Sequence, residues 1–112
     1  MDANDYQIQA LKTLNPKLSE REILINGVMG LCGESGEAID LVKKYLAQGH
    51  ELDREKLANE LGDISWYLAE TAYVIGYDLN TILNMNIEKL KKRYPRGFCV
   101  ENSRKRDLEG NE

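Results

Sequence analysis

Histidine, cysteine and excess basic charge are all scarce in this chain, and each shortage excludes a class of function. The single histidine, His50, has Ala47 three residues before it. A ferritin-like di-iron site needs Glu-x-x-His on two helices, so that chemistry is excluded, and His50 is expected to be a solvated loop residue. The two cysteines, Cys32 and Cys99, have neither metal-ligand nor redox spacing. Cys32 falls on an apolar helical stripe and is expected to be a core thiol, and nothing points to an oxidising compartment. A net charge of −4 argues against a dedicated nucleic-acid binder, which usually carries a basic excess. No apolar run approaches the roughly 20 residues needed to span a bilayer. The opening MDANDYQIQ lacks a basic region followed by an apolar one, so no secretion signal is expected. The chain reads as cytoplasmic, with neither a membrane nor a nucleic-acid polymer as partner.

What is present fits one small domain. At 112 residues the chain has room for no more, and a domain this short leaves much apolar surface near solvent. Self-association is therefore expected. Eight of the 15 Lys and Arg residues lie between Lys89 and Arg106, whereas the acidic pairs lie upstream. An acidic pocket with a basic tail suits a metal and a polyanionic substrate; a solvated helix end gives the same pattern.

The pattern of apolar residues is helical throughout. A first helix fits Asp5 to Leu14 and stops before Pro16. A second starts at Ser19, with Glu22 completing a capping box and Leu18 and Ile23 forming a staple. Its stripe is Leu24, Val28, Leu31, Ser35, Ala38, Val42 and Tyr45, and Gln48-Gly49-His50 ends it. Gly27, Gly30, Gly33 and Gly36 interrupt this helix, each costing about 1 kcal/mol relative to alanine. Close approach of a neighbouring helix, in preference to a break, is the expected reason. Asp53 caps a third helix to about Ile75, and Asp78 a fourth from Leu79 to about Arg93. The expected fold is all-α, a bundle of about four helices completed by homo-oligomerisation. The domain is read as residues 1–98, followed by a polar, mobile tail at 99–112.

Two carboxylate pairs carry the chemistry. Glu34 and Glu37 form E-x-x-E, and Glu60 and Asp63 form E-x-x-D. Such spacing puts both members of a pair on one helical face, and both pairs flank their apolar stripes. If the second and third helices pack antiparallel, the four acids converge at the edge of the core. Like charges that close need a cation. An all-oxygen donor set selects a hard one, Mg²⁺ first with Mn²⁺ as a substitute. Ordinary surface acids remain the competing reading at this point.

The segment Gly33 to Lys44, GESGEAIDLVKK, resembles the first signature of the MazG-like nucleotide pyrophosphohydrolases of the all-α NTP pyrophosphatase superfamily. Glu60 to Leu68, ELGDISWYL, is similar to their second, and Asn86-Ile87-Glu88-Lys89-Leu90 through Arg93-Tyr94-Pro95-Arg96-Gly97-Phe98 to their C-terminal block. The resemblance implies hydrolysis of a nucleoside triphosphate, deoxy or non-standard, to the monophosphate and pyrophosphate. It implies Glu34, Glu37, Glu60 and Asp63 as metal ligands, with Glu37 and Glu34 as catalytic carboxylates, and Glu37 favoured to orient or deprotonate water. Asp40 extends the first motif towards a second metal or a bridging water. Lys43, Tyr67, Asn86, Lys89 and Arg93 match substrate-binding positions, with Lys44 equally available in place of Lys43. Trp66 either stacks on a base or fills a core or subunit interface. A homodimer or homotetramer is implied. The rivals are a phosphoribosyl-ATP pyrophosphohydrolase, from which the Tyr-Pro-Arg-Gly-Phe block leans away, and a non-catalytic helical interaction module.

Overall fold

The computed structural model describes residues 1–109, and it is all-α. Its helices are α1 (Ala3–Leu11), α2 (Glu20–Ala47), α3 (Arg54–Val74), α4 (Leu79–Arg93) and α5 (Val100–Glu109). Among the described residues there is no strand and no helix long and apolar enough to cross a membrane. Two compact units divide the chain, Met1–Leu79 and Asn80 onward.

Capping side chains set the helix starts. The Glu22 N–H donates to Ser19 Oγ at 3.2 Å, and the Ser19 N–H donates to Glu22 Oε1 at 3.1 Å. These reciprocal bonds satisfy two amides that would otherwise lack partners. An equivalent box between Asp2 and Asp5 starts α1 earlier than expected. Three-residue turns onto the Ala10 and Leu11 carbonyls end it before Leu14. Asp53 Oδ1 accepts from the Lys56 N–H at 3.0 Å and caps α3. At its other end Gly76, with φ 85°, closes the helix, while the Tyr77 N–H reaches back to the Ala72 carbonyl at 2.9 Å.

Within the first unit α2 and α3 run antiparallel, and the glycines of α2 decide how closely. A Cβ on Gly27 would stand 3.3 Å from Thr71 Cβ, and one on Gly30 would overlap the Tyr67 ring. Gly33 and Gly36 have nothing within 4 Å of that position. Close approach therefore explains two of the four glycines, and α2 continues unbroken through all of them over 28 residues.

The glycine line also sets the rotation of α2. Ile23 and Gly27 are buried, whereas Leu24, Val28 and Tyr45 of the expected stripe are 41%, 53% and 48% exposed. Cys32 is exposed, not a core thiol. The smooth face admits α3, and the bulkier face is left outside.

Helix α1 is fastened to α3 by buried polar bonds. Gln7 Nε2 donates to the carbonyls of Ala69 and Tyr77, and its Oε1 accepts from the Leu79 N–H at 3.1 Å. Among the described residues the buried apolar side chains are Ala10, Ile23, Ala69, Ala72 and Leu79.

The second unit holds most of α4, and α5. Lys91, Lys92 and Arg93 close α4, where cations complement the helix dipole. Tyr94 and Phe98 stack with ring centroids 5.5 Å apart, around a turn in which Gly97 has φ 88°. Helix α5 occupies most of the stretch expected to be a tail, giving five helices instead of about four. Its sequence, VENSRKRDLE, has no apolar stripe, so periodicity alone does not reveal it. Residues 110–112 of the expected tail lie outside the described residues.

Candidate metal centre

Beyond the tight crossing at Gly30 and Tyr67, the next turns of α2 and α3 bring their acids together. One carboxylate oxygen each from Glu34, Glu37 and Glu60 lie within 4.8 Å of one another. Glu34 Oε2 and Glu60 Oε2 are shielded from solvent and have no hydrogen-bond partner. Shielded carboxylate oxygens without donors are costly. A cation between them would satisfy both, and the all-oxygen donor set suits a hard one.

The electrostatics agree. A hydrogen bond with Glu60, then the Glu60 charge, push the Glu37 carboxyl above its ordinary value of 4.5. Its bond with Glu34 works weakly the other way. The Glu60 carboxyl is pushed up chiefly by its hydrogen bond with Glu34. Crowding thus disfavours the charged forms of Glu37 and Glu60, a penalty that the positive charge of a metal would offset.

Asp63 stands just outside this group. It is exposed, yet its charge helps to raise both Glu37 and Glu60. It also contributes, after burial, to raising the Tyr6 phenol. Tyr6 brings α1 to the rim of the centre; no spacing in that short helix signals it.

On the side facing the α2–α3 loop, Gly33 and Gly36 open onto a cavity of about 540 Å³, lined also by Glu37, Asp40, Lys44, Lys56 and Glu60. Lys44 Nζ pairs with Asp40 Oδ2 at 3.1 Å. Of the two adjacent lysines, Lys44 therefore lines this cavity, while Lys43 lies in an apolar groove with Ile39, Val42 and Leu46. Lys56 is the second cation of the cavity, and it was not singled out by any motif.

Tyr67 lies half-buried against Gly30, edge-on to Trp66 with centroids 5.1 Å apart. The Trp66 indole N–H donates to Thr13 Oγ1 at 2.8 Å and to the Ala10 carbonyl at 3.2 Å. These bonds tie the half-buried Trp66 to the end of α1. His50 is exposed in the loop after α2. Asn86, Lys89 and Arg93 lie on α4 in the second unit, where steps of three and four give them one helical face.

One buried ionisable residue escaped sequence reading. Glu70 has no solvent exposure, and both its oxygens accept from Asn26 Nδ2, at 2.9 and 3.2 Å. Its only signal is phase: Glu60, Asp63, Tyr67 and Glu70 recur at helical steps.

Fold and site define an all-α protein with a convergent carboxylate centre on two antiparallel helices. The chain belongs to the MazG family: residues 26–98 match the MazG nucleotide pyrophosphohydrolase domain. A 73-residue stretch is 40% identical to the Gene 37 protein of Mycobacterium phage L5, covering 62% of this chain and 64% of that protein. No solved structure matches the chain.

Proposed function

We propose that the chain hydrolyses nucleoside triphosphates, deoxy or non-standard ones included, to the monophosphate and pyrophosphate in a Mg²⁺-dependent reaction. The observation that carries this reading is the meeting of Glu34, Glu37 and Glu60 within 4.8 Å, in a chain of the MazG nucleotide pyrophosphohydrolase family. Glu34, Glu37 and Glu60 would hold the cation, with Asp63 as a fourth contributor. Mg²⁺, or Mn²⁺ in its place, would neutralise charge building on the α-phosphoryl group and make water more acidic. Glu37 is exposed, which supports giving it the attacking water to orient and deprotonate. Lys44 and Lys56 would steady the departing pyrophosphate, and Asp40 keeps Lys44 directed into the cavity. Tyr67 would contact the nucleoside. Asn86, Lys89 and Arg93 are proposed substrate contacts through their match to the family pattern.

A second copy of the chain is the proposed partner. Ile25, Cys32, Ile39 and Leu46 recur every seven residues along α2, with Val28 and Val42 between them. Such a repeat, broken only by Ser35, supports pairing with another helix. Ile39 and Leu46 are 67% and 73% exposed in the single chain. A cytoplasmic setting suits a protein acting on nucleotide pools.

Purified protein incubated with ribo- and deoxynucleoside triphosphates, with and without Mg²⁺, tests the reading. Pyrophosphate and monophosphate are expected, and only with the metal. Release of orthophosphate, or hydrolysis of phosphoribosyl-ATP alone, would contradict it.

A further inference from the structure

Exposed Asn26 on α2 and buried Glu70 on α3 pair across the two helices, outside the group of Glu34, Glu37 and Glu60. Counting along α2, Asn26, Gly30, Glu34 and Glu37 follow one another at helical steps. Asn26 sits about 12 Å before Glu34 at ~1.5 Å per residue, with Tyr67 against Gly30 in between. Phosphate chemistry and Asn26 thus lie on opposite sides of the tyrosine.

We propose that Asn26 reads the nucleobase, and that Glu70 is the positioning residue that fixes its amide. This rests on the triphosphate reading above. A carboxylate only accepts hydrogen bonds, so it admits one orientation of the asparagine: Nδ2 inward, Oδ1 outward. A glutamine at 70 would pair with either orientation. A leucine would fill the space without burying a charge. The carboxylate is therefore the choice that presents a single, fixed acceptor on the exposed Asn26.

That acceptor selects by chemistry. With the phosphates at the carboxylates and the sugar near Tyr67, the base points its far edge at Asn26. Adenine and cytosine carry an amine donor there, at N6 and N4, whereas guanine, uracil and thymine carry a carbonyl oxygen. Oδ1 bonds the amine and repels the carbonyl. The substrate class is the 6-amino purine and 4-amino pyrimidine triphosphates, with their deaminated counterparts discriminated against.

Matched pairs differing only in this group test the idea, CTP against UTP and ATP against ITP. The wild type is expected to prefer the amine member by at least about tenfold in kcat/KM, since a hydrogen-bonding site discriminates strongly against a mismatched group. Glu70→Gln keeps the shape and is expected to fold. It should bring both ratios towards unity while the Mg²⁺ concentration for half-activity stays the same, a pattern that a merely structural role would not give. Asn26→Ser keeps a donor for Glu70 but removes the carbonyl, and should do likewise. Absence of preference in the wild type, or preference retained in either folded variant, overturns the proposal. Should no triphosphate be hydrolysed, the parent reading fails separately. Calorimetric binding of CMP against UMP then decides the base-reading claim, with equal affinities overturning it.

Discussion

The backbone of Gly30 lies directly against the ring of Tyr67, closer than any side chain at position 30 would permit. Together with Gly27 against Thr71, this contact sets the separation of α2 and α3 immediately before the acids meet.

Substituting the two pairs of glycines should therefore give opposite results. Gly27→Ala and Gly30→Ala overpack the crossing, a change that costs about 1–3 kcal/mol, against ~1 kcal/mol gained in helix propensity. Gly33→Ala and Gly36→Ala meet open space and should stabilise the helix by up to ~1 kcal/mol each. Urea unfolding at fixed pH measures all four. Equal effects across the set would show that the crossing is not closely packed.

The metal-free protein should lose stability as pH rises through the range where Glu37 and Glu60 titrate. Both carboxyls are held above 4.5, Glu37 by its bond with Glu60 and that residue's charge, Glu60 by its bond with Glu34. A raised carboxyl pKa favours the protonated fold, so its contribution is complete below 4.5 and disappears as pH passes the raised values. Glu22, lowered by its capping bonds to Ser19, contributes the opposite slope. Comparing thermal midpoints of wild type and Glu37→Gln across pH isolates the cluster. The variant should have the higher midpoint at neutral pH without metal, and Mg²⁺ should raise only the wild type appreciably.

Removing either lysine of the cavity should weaken substrate binding more than folding. Lys56→Ala and Lys44→Ala are expected to raise KM several-fold, weaken inhibition by pyrophosphate, and reduce the sensitivity of KM to salt. Exposed charges act on a polyanion through a screened interaction. Lys43→Ala, in its separate apolar groove, serves as the comparison. A larger effect from Lys43 than from Lys44 would reverse the assignment.

Placing a charge on the seven-residue seam should separate the copies. Light scattering at micromolar concentration is expected to show an oligomer for the wild type and a monomer for Ile39→Glu. A wild-type monomer would contradict self-association.

Helix identity, the Ser19 and Asp53 caps, and three of the four acids were legible because local rules govern them: period, capping chemistry and i, i+3 spacing. Rotation of α2 was not legible. Apolar periodicity favours the Leu24 and Val28 stripe, while close packing through Gly27 and Gly30 overrides it and leaves those residues exposed. Asp63 shares the spacing of Glu60, but spacing does not say which carboxylate reaches the other helix. Lys56 and Glu70 stayed hidden because each matters through a neighbour on the other helix, a relation that exists only after folding. Helix α5 is not legible because its two apolar residues, Val100 and Leu108, are too few to set a period.

Titrating Mg²⁺ or Mn²⁺ into the metal-free protein by calorimetry, beside Glu60→Gln, is the most direct measurement of the cation centre. The expected result is saturable binding by the wild type, weakened at least about tenfold in the variant with helicity unchanged. Equal binding by both proteins, or none by the wild type, would contradict a centre built from Glu34, Glu37 and Glu60.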